Sequence, residues 1–192
     1  MKERGTIIII SGPSGSGKTT LYRRLLQSER LRGKIVKSIS VTTRRPREGE
    51  IKGRDYVFVS RKMFLYKKRA QHFLESQKVF DNYYGTPKKR VQELLNEGKD
   101  VLLCIDVKGA RVVGRRYPKA VTVFITVPSL EILKKRLLQR GSESEQKMAL
   151  RLKIAQKEIK EAKSYQHVIV NDNLTHAYDQ LEKIITRHLA GK

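Results

Sequence analysis

An α/β fold, with a parallel sheet and helices on both of its faces, is predicted for this chain by three observations. Short runs rich in Val and Ile alternate with helical patterns along most of the length, the order expected of a doubly wound sheet. The longest runs show little apolar/polar alternation, as strands covered on both faces do. The first run, Thr6–Ile10, leads into GPSGSGKTT (Gly12 to Thr20) and then into the periodic LYRRLL, so that strand, glycine-rich turn and helix follow one another directly.

That turn fits the pattern G-x4-G-K-[ST] in full and makes the fold one of the P-loop NTPase type. Gly12, Pro13, Ser14, Gly15, Ser16, Gly17, Lys18, Thr19 and Thr20 are therefore expected to surround nucleotide phosphates. Glycine lets the backbone approach an anion closely, the Lys18 ammonium reaches the terminal phosphates, and the Thr19 hydroxyl is a ligand for magnesium. A Gly/Ser-rich surface loop is the alternative, and the strand–turn–helix context argues against it.

Further along, Ile35–Val41, Val101–Ile105, Ala120–Val127 and Val168–Val170 are expected as core strands. Helical patterns cover Thr19–Leu26, Pro87–Glu97, Lys108–Arg116, Ser129–Arg140, Glu145–Lys163 and Thr175–Leu189. The rhythm breaks between Thr42 and Asn82, where RRPREGEIKGRD is rich in turn formers, YVFV is strand-like and Lys62–Lys68 is helical; this break marks an inserted lobe. Asp106, in VLLCID, stands at the carboxyl edge of a parallel strand, where ligands bind in such sheets. A magnesium-organising carboxylate belongs there in a phosphate-loop enzyme. Capping the following helix is a second role, compatible with the first.

With a single Cys, Cys104, an internal disulfide is excluded. The first apolar run is too short for a leader and enters the phosphate loop directly. No stretch approaches the roughly 18 apolar residues of a membrane span. A soluble, cytoplasmic protein is the expectation. The net charge of +23 would suit a nucleic-acid partner. Basic residues are spread over helices and loops, however, and no nucleic-acid-binding module is recognisable. Residues 34–90, with 16 Lys and Arg against 5 acidic residues, are read first as a field for a phosphorylated substrate.

Behind the phosphate loop come SISVTTRRPREGE, GRDYVFV, FLE, NYYGTP, IDVKGA, KKRLLQRG and VIVND, in that order. Together these motifs resemble guanylate kinase, from about Ile7 to the last helix. The resemblance implies the reaction ATP + GMP giving ADP + GDP, within purine nucleotide metabolism, with Mg2+ accompanying ATP. It implies ATP and GMP as small-molecule partners; no membrane and no specific nucleic acid is expected. It also implies one domain in three parts: a core (about 1–41, 87–138 and 164–192), a GMP-binding lobe (about 42–86) and a lid (about 139–163).

Several matched residues make chemical sense on their own. Arg44 and Arg47 flank Pro46 in a turn-rich segment, and two guanidinium forks grip a phosphate bidentately better than lysines would. Tyr56 and Tyr84 add phenolic donors by resemblance, with packing as their other role. Ser40, Glu75, Thr86 and Asp106 match the family's guanine-contacting positions. Arg136 and Arg140 lie one turn apart on a predicted helix and can converge on one anion. By resemblance Arg140 and Arg151 are lid residues that close on the transferring phosphoryl group, with Arg136 close behind, and Asn171–Asp172 lie near the adenine. Catalysis is thus expected from Lys18, Arg44, Arg136, Arg140 and Arg151, without a covalent nucleophile. The chain departs from the family pattern at Cys104, where an acid is usual, and at Ser76 and Val107, where aromatic residues are common. Non-catalytic relatives have lost the phosphate loop, which is intact here.

Overall fold

A computed structural model of the chain describes residues 3–139 and 145–191. In chain order the elements are β1 (Ile7–Ser11), α1 (Lys18–Gln27), β2 (Ile35–Lys37), β3 (Val41–Thr42), β4 (Val57–Phe58), α2 (Arg61–Arg69), β5 (Phe73–Val79), β6 (Asn82–Pro87), α3 (Lys88–Asn96), β7 (Asp100–Cys104), α4 (Val107–Arg116), β8 (Val121–Thr126), α5 (Leu130–Leu138), α6 (Glu145–Lys160), a 3-10 turn (Glu161–Ser164), β9 (His167–Val170) and α7 (Leu174–Ala190). Five strands form a sheet in the order β2-β7-β1-β8-β9, and four form a second sheet in the order β4-β3-β6-β5. The fold is mixed α/β with a parallel central sheet, as the strand–helix alternation predicts. Among the described residues no helix is long and apolar enough to cross a membrane.

The chain divides into two compact units. The first takes its described residues from Met1–Ile7, Lys34–Leu103 and Lys108–Ala120. Strands β5 and β6 form an antiparallel hairpin that pairs Glu75 with Thr86 and Gln77 with Tyr84, with an irregularity between Phe73 and Glu75. Helix α2 begins at Ser60, whose side chain accepts from the Met63 N–H at 3.2 Å, and its last turn carries Lys67, Lys68 and Arg69, cations that suit a helix C-terminus. Its one buried residue, Phe64, stacks on Phe73 (centroids 4.6 Å apart) and Tyr83 (5.4 Å) of the hairpin. Asp100, 2% exposed at the start of β7, accepts the Thr6 N–H at 2.6 Å.

Two features differ from expectation. The strand expected over Ile35–Val41 is split: pairing with β7 covers Ile35–Lys37, whereas Val41–Thr42 joins the second sheet beside Gly85 and Tyr84. Val41 is buried in either case, so its hydrophobicity does not reveal which sheet it joins. The β5–β6 hairpin is not foreseen as strands at all. Its turn places Phe80 at φ 53°, a left-handed conformation normally marked in sequence by Gly or Asn.

The second unit takes its described residues from Ile8–Gly33, Cys104–Val107 and Val121–Lys192. Here β8 runs parallel to β1, pairing Ile10 with Val123, and parallel to β9, pairing Phe124 with Val168. Ile8, Ile9, Ile10, Val123, Phe124 and Ile125 are completely buried, which explains their lack of polar alternation. Strand β9 has Val168 and Val170 about half exposed and stands last in the sheet order. Helix α1 packs against α7, where Glu182 accepts from both the Ser28 and Tyr178 hydroxyls. Val127, Leu133 and Leu137 form a small core with Met148 and Ala155 of α6. The predicted helix Glu145–Lys163 is α-helical to Lys160 and tightens into the 3-10 turn beyond it.

Because Phe64 is the single buried anchor of α2, Phe64→Ala is expected to cost about 3–5 kcal/mol, the usual range for deleting a core aromatic ring. Urea unfolding checks this: the midpoint drops while the slope stays unchanged.

Candidate active site

The residues singled out by the sequence fall into two groups, one in each unit. In the second unit, β1 ends at Ser11, the chain turns through Gly12–Gly17, and α1 begins at Lys18. A Cβ on Gly12 would lie 2.0 Å from the Ile125 carbonyl oxygen, and one on Gly17 would lie 2.1 Å from the Asn171 Nδ2, so both positions exclude a side chain. Gly17 caps α1 with φ 93°, no side chain caps the helix, and the first turn holds no acid. Such an uncapped N-terminus, with the positive end of the helix dipole, can take an anion. The Lys18 ammonium donates to the Gly12 and Pro13 carbonyls, each at 2.7 Å. Ser14, Thr19 and Thr20 are exposed, whereas Ser16 is buried.

Asn171, at the end of β9 and 3% exposed, fastens this loop. Its amide donates to the Ser16 carbonyl at 2.8 Å, and its backbone N–H donates to Thr126 at 2.9 Å. Its own carbonyl accepts from Arg136 at 2.9 Å. Clamping of the loop by Asn171 is not visible in the sequence, since it joins residues distant in the chain. Asp172 is exposed and accepts from the Asn173 N–H, while Asn173 caps α7. Arg151 is half-buried on α6; Arg140 lies outside the described residues. Asp106 is half-buried at the carboxyl side of β7. Burial pushes the Tyr165 phenol up to about 12, against the pull of the neighbouring Ser11 hydroxyl, and the charge of Asp106 adds to the rise. Tyr165 is therefore neutral at any physiological pH.

In the first unit the structure brings Arg44, Tyr56 and Tyr84 together. The Arg44 guanidinium carbon lies 5.5 Å from the centre of the Tyr56 ring, which meets Tyr84 edge-on at 6.1 Å. Glu50, a residue the sequence reading passed over, is the hub of this cluster. The Arg44 Nη2 lies 2.8 and 2.9 Å from its two carboxylate oxygens, and the Arg47 backbone N–H donates to one of them at 2.8 Å. The sequence offers only two acids, Glu48 and Glu50, in an arginine-rich turn, with nothing to single out Glu50. Burial opposes the charge of both partners, but the hydrogen bond between them prevails, so Arg44 is raised and Glu50, helped by the Arg47 N–H, is lowered. The Arg47 side chain is exposed, and Ser40 is half-buried with its carbonyl accepting the Val57 N–H.

Glu75 and Thr86 form the innermost part of this group, 6% and 0% exposed. They are partners across the hairpin, and the Thr86 hydroxyl donates to the Glu75 Oε1 at 2.6 Å. Tyr84, two residues from Thr86 along β6, lies on the same face.

A parallel α/β sheet whose first strand feeds a complete phosphate loop, together with a lobe presenting arginine, tyrosine and a buried carboxylate, defines a P-loop nucleotide phosphotransferase. The guanylate kinase family model matches residues 4–188. A guanylate kinase of Clostridium tetani is 45% identical over 96% of this chain and 86% of its own length. One of Rickettsia bellii is 43% identical over 96% of this chain and 95% of its own. The crystal structure of guanylate kinase from Anaplasma phagocytophilum superimposes with a TM-score of 0.79 at 34% identity, covering 98% of this chain and 88% of that one. The chain belongs to the guanylate kinase family, the ATP:GMP phosphotransferases.

The Arg44–Glu50 pair sets an acid-side expectation. A carboxylate with a lowered value in the folded state adds stability that is complete above its unfolded value, about 4.3, and is lost as pH falls through the lower folded value. Wild type should therefore exceed Glu50→Gln in stability at neutral pH, and the gap should close below about pH 4. Chemical unfolding of both proteins across this range measures it.

Proposed function

We propose that this chain transfers the γ-phosphoryl group of ATP to GMP, yielding ADP and GDP, as a cytoplasmic enzyme of purine nucleotide metabolism. The observation that carries the choice of acceptor is the buried Glu75 carboxylate beside Thr86. An ionised carboxylate only accepts hydrogen bonds; guanine offers two adjacent donors, N1–H and the 2-amino group, whereas adenine has an acceptor at N1 and no 2-amino group. Guanine brings the buried carboxylate two further donors, whereas adenine sets an acceptor against it.

In this reading the lobe 42–86 binds GMP. Arg44, Arg47, Tyr56 and Tyr84 hold its phosphate, and Ser40, Glu75, Thr86 and Asp106 contact the base. The loop Gly12–Thr20 holds the ATP phosphates. Nucleotide entry replaces the two carbonyl partners of Lys18 with phosphate oxygens, so its charge is delivered where negative charge develops. Arg136, held by the Asn171 carbonyl, keeps a fixed cation beside the loop, and Asn171 with Asp172 borders the adenine. Segment 139–163 is the lid, with Arg140 and Arg151 recruited on closure to the transferring group and water excluded as it closes.

Magnesium fits the available donors. Thr19 offers a hydroxyl and Asp106 a carboxylate, both hard oxygen ligands, and among the described residues no cluster of three or more His, Cys, Asp or Glu forms an all-protein metal cage. A few protein oxygens completed by phosphate and water suit Mg2+. When bound, the ion neutralises charge on the β- and γ-phosphates.

The deciding experiment is an ADP-release assay with ATP against GMP, AMP, CMP and UMP, in which only GMP is expected to support turnover; activity with none of the four sinks the proposal. Lys18→Ala should lower kcat about 10²–10³-fold, the usual effect of losing one preorganised charge-stabilising donor, with the far-UV spectrum unchanged. Glu75→Gln turns an acceptor into an amide donor facing guanine's donors. Its kcat/KM for GMP should fall about a hundredfold, and the GMP-to-AMP ratio with it, at unaltered ATP KM. Steady-state kinetics on both acceptors reads this out.

A further inference from the structure

Gly109 is buried in the first turns of α4, with a helical rather than left-handed backbone. Nothing in its backbone conformation calls for glycine, and helix propensity favours alanine there. Its surroundings supply the reason. A Cβ at this position would lie 2.7 Å from the Glu75 Oε2 and 3.1 Å from the Glu75 Cδ. The opposite carboxylate oxygen is held by the Thr86 hydroxyl at 2.6 Å. The Glu75 carboxylate thus occupies a slot bounded by Thr86 on one side and by the bare α-carbon of Gly109 on the other.

We propose that Gly109 is a specificity-determining position for the acceptor base, where the missing side chain gives the Glu75 carboxylate the room to hold its guanine-reading orientation. The inference rests on Glu75 being the base reader. An added methyl group meets the far end of a flexible side chain, so the carboxylate turns aside while the helix stays in place. Recognition is lost and the fold is kept. Gly109 acts through Glu75 and is a positioning residue.

The test uses the full chain and compares kcat/KM for GMP with that for IMP, which keeps the N1–H and 6-oxo group of guanine but lacks the 2-amino group. Gly109→Ala is expected to lower the GMP-to-IMP ratio about tenfold or more, with ATP KM and melting temperature close to wild type. Glu75→Asp withdraws the carboxylate by one methylene. Alone it should lower the ratio, but in the Gly109→Ala background it should restore part of it, the coupling expected of residues in contact. If Glu75→Gln changes the ratio and Gly109→Ala does not, the role given to Gly109 is overturned while the base reader stands. If both are silent, the Glu75 reading falls and this inference with it. A large drop in melting temperature for Gly109→Ala, unrelieved by Glu75→Asp, would make Gly109 a helix-packing residue and also overturn the proposal.

Discussion

A loop surrounds an anion only when several backbone N–H groups point inward together, and here that depends on how closely the turn after β1 lies on the ends of β8 and β9. At Gly12 the neighbour is a strand carbonyl, and at Gly17 it is a buried amide; neither leaves room for a methyl group. Because these neighbours are Ile125, completely buried on β8, and the clamp residue Asn171, they do not yield. The rest follows from this seat. The first turn of α1 is presented uncapped, Lys18 finds carbonyls within reach, and Arg136 shares the Asn171 residue that holds Ser16.

The first unit solves a different problem, that of keeping polar groups fixed in a lobe crowded with cations. Two of the carboxylates that do this are Glu50 and Glu75. Glu50 gathers Arg44 and the Arg47 backbone, so the guanidinium is oriented against the aromatic rings of Tyr56 and Phe58. Glu75 is more deeply placed and has Thr86 as a hydroxyl partner, as a buried charge requires. In each case the acid decides where its partner sits, which matters more than the charge it removes from a surface already strongly positive.

What could be read in advance was what is written locally. Strand, turn and helix around Gly12–Thr20 lie within one short stretch, and α1 runs one residue beyond the predicted helix at each end. Arg44, Tyr56 and Tyr84, expected by resemblance around one phosphate, lie together, although the pairs of strands that join them were only partly foreseen. Where reading failed, the determining contact was remote or the local signal was absent. Val41 leaves one sheet for another without any change in hydrophobicity. The hairpin turns at Phe80, which carries no turn signature, and Asn171 shows its grip on Ser16 only when the chain is folded.

Asn171 and Ser16 are 155 positions apart, and Ser28 is joined to Glu182 over 154. Such separations are a matter of time as well as distance for a chain made from its N-terminus. The phosphate loop leaves the ribosome about 155 residues ahead of its clamp. Until β9 and α7 have emerged, Ser16 and Ser28 lack the partners that they hold in the finished unit. This unit therefore completes its loop only after residue 171 has been made, and a nascent chain halted before that point would carry the loop sequence without its architecture.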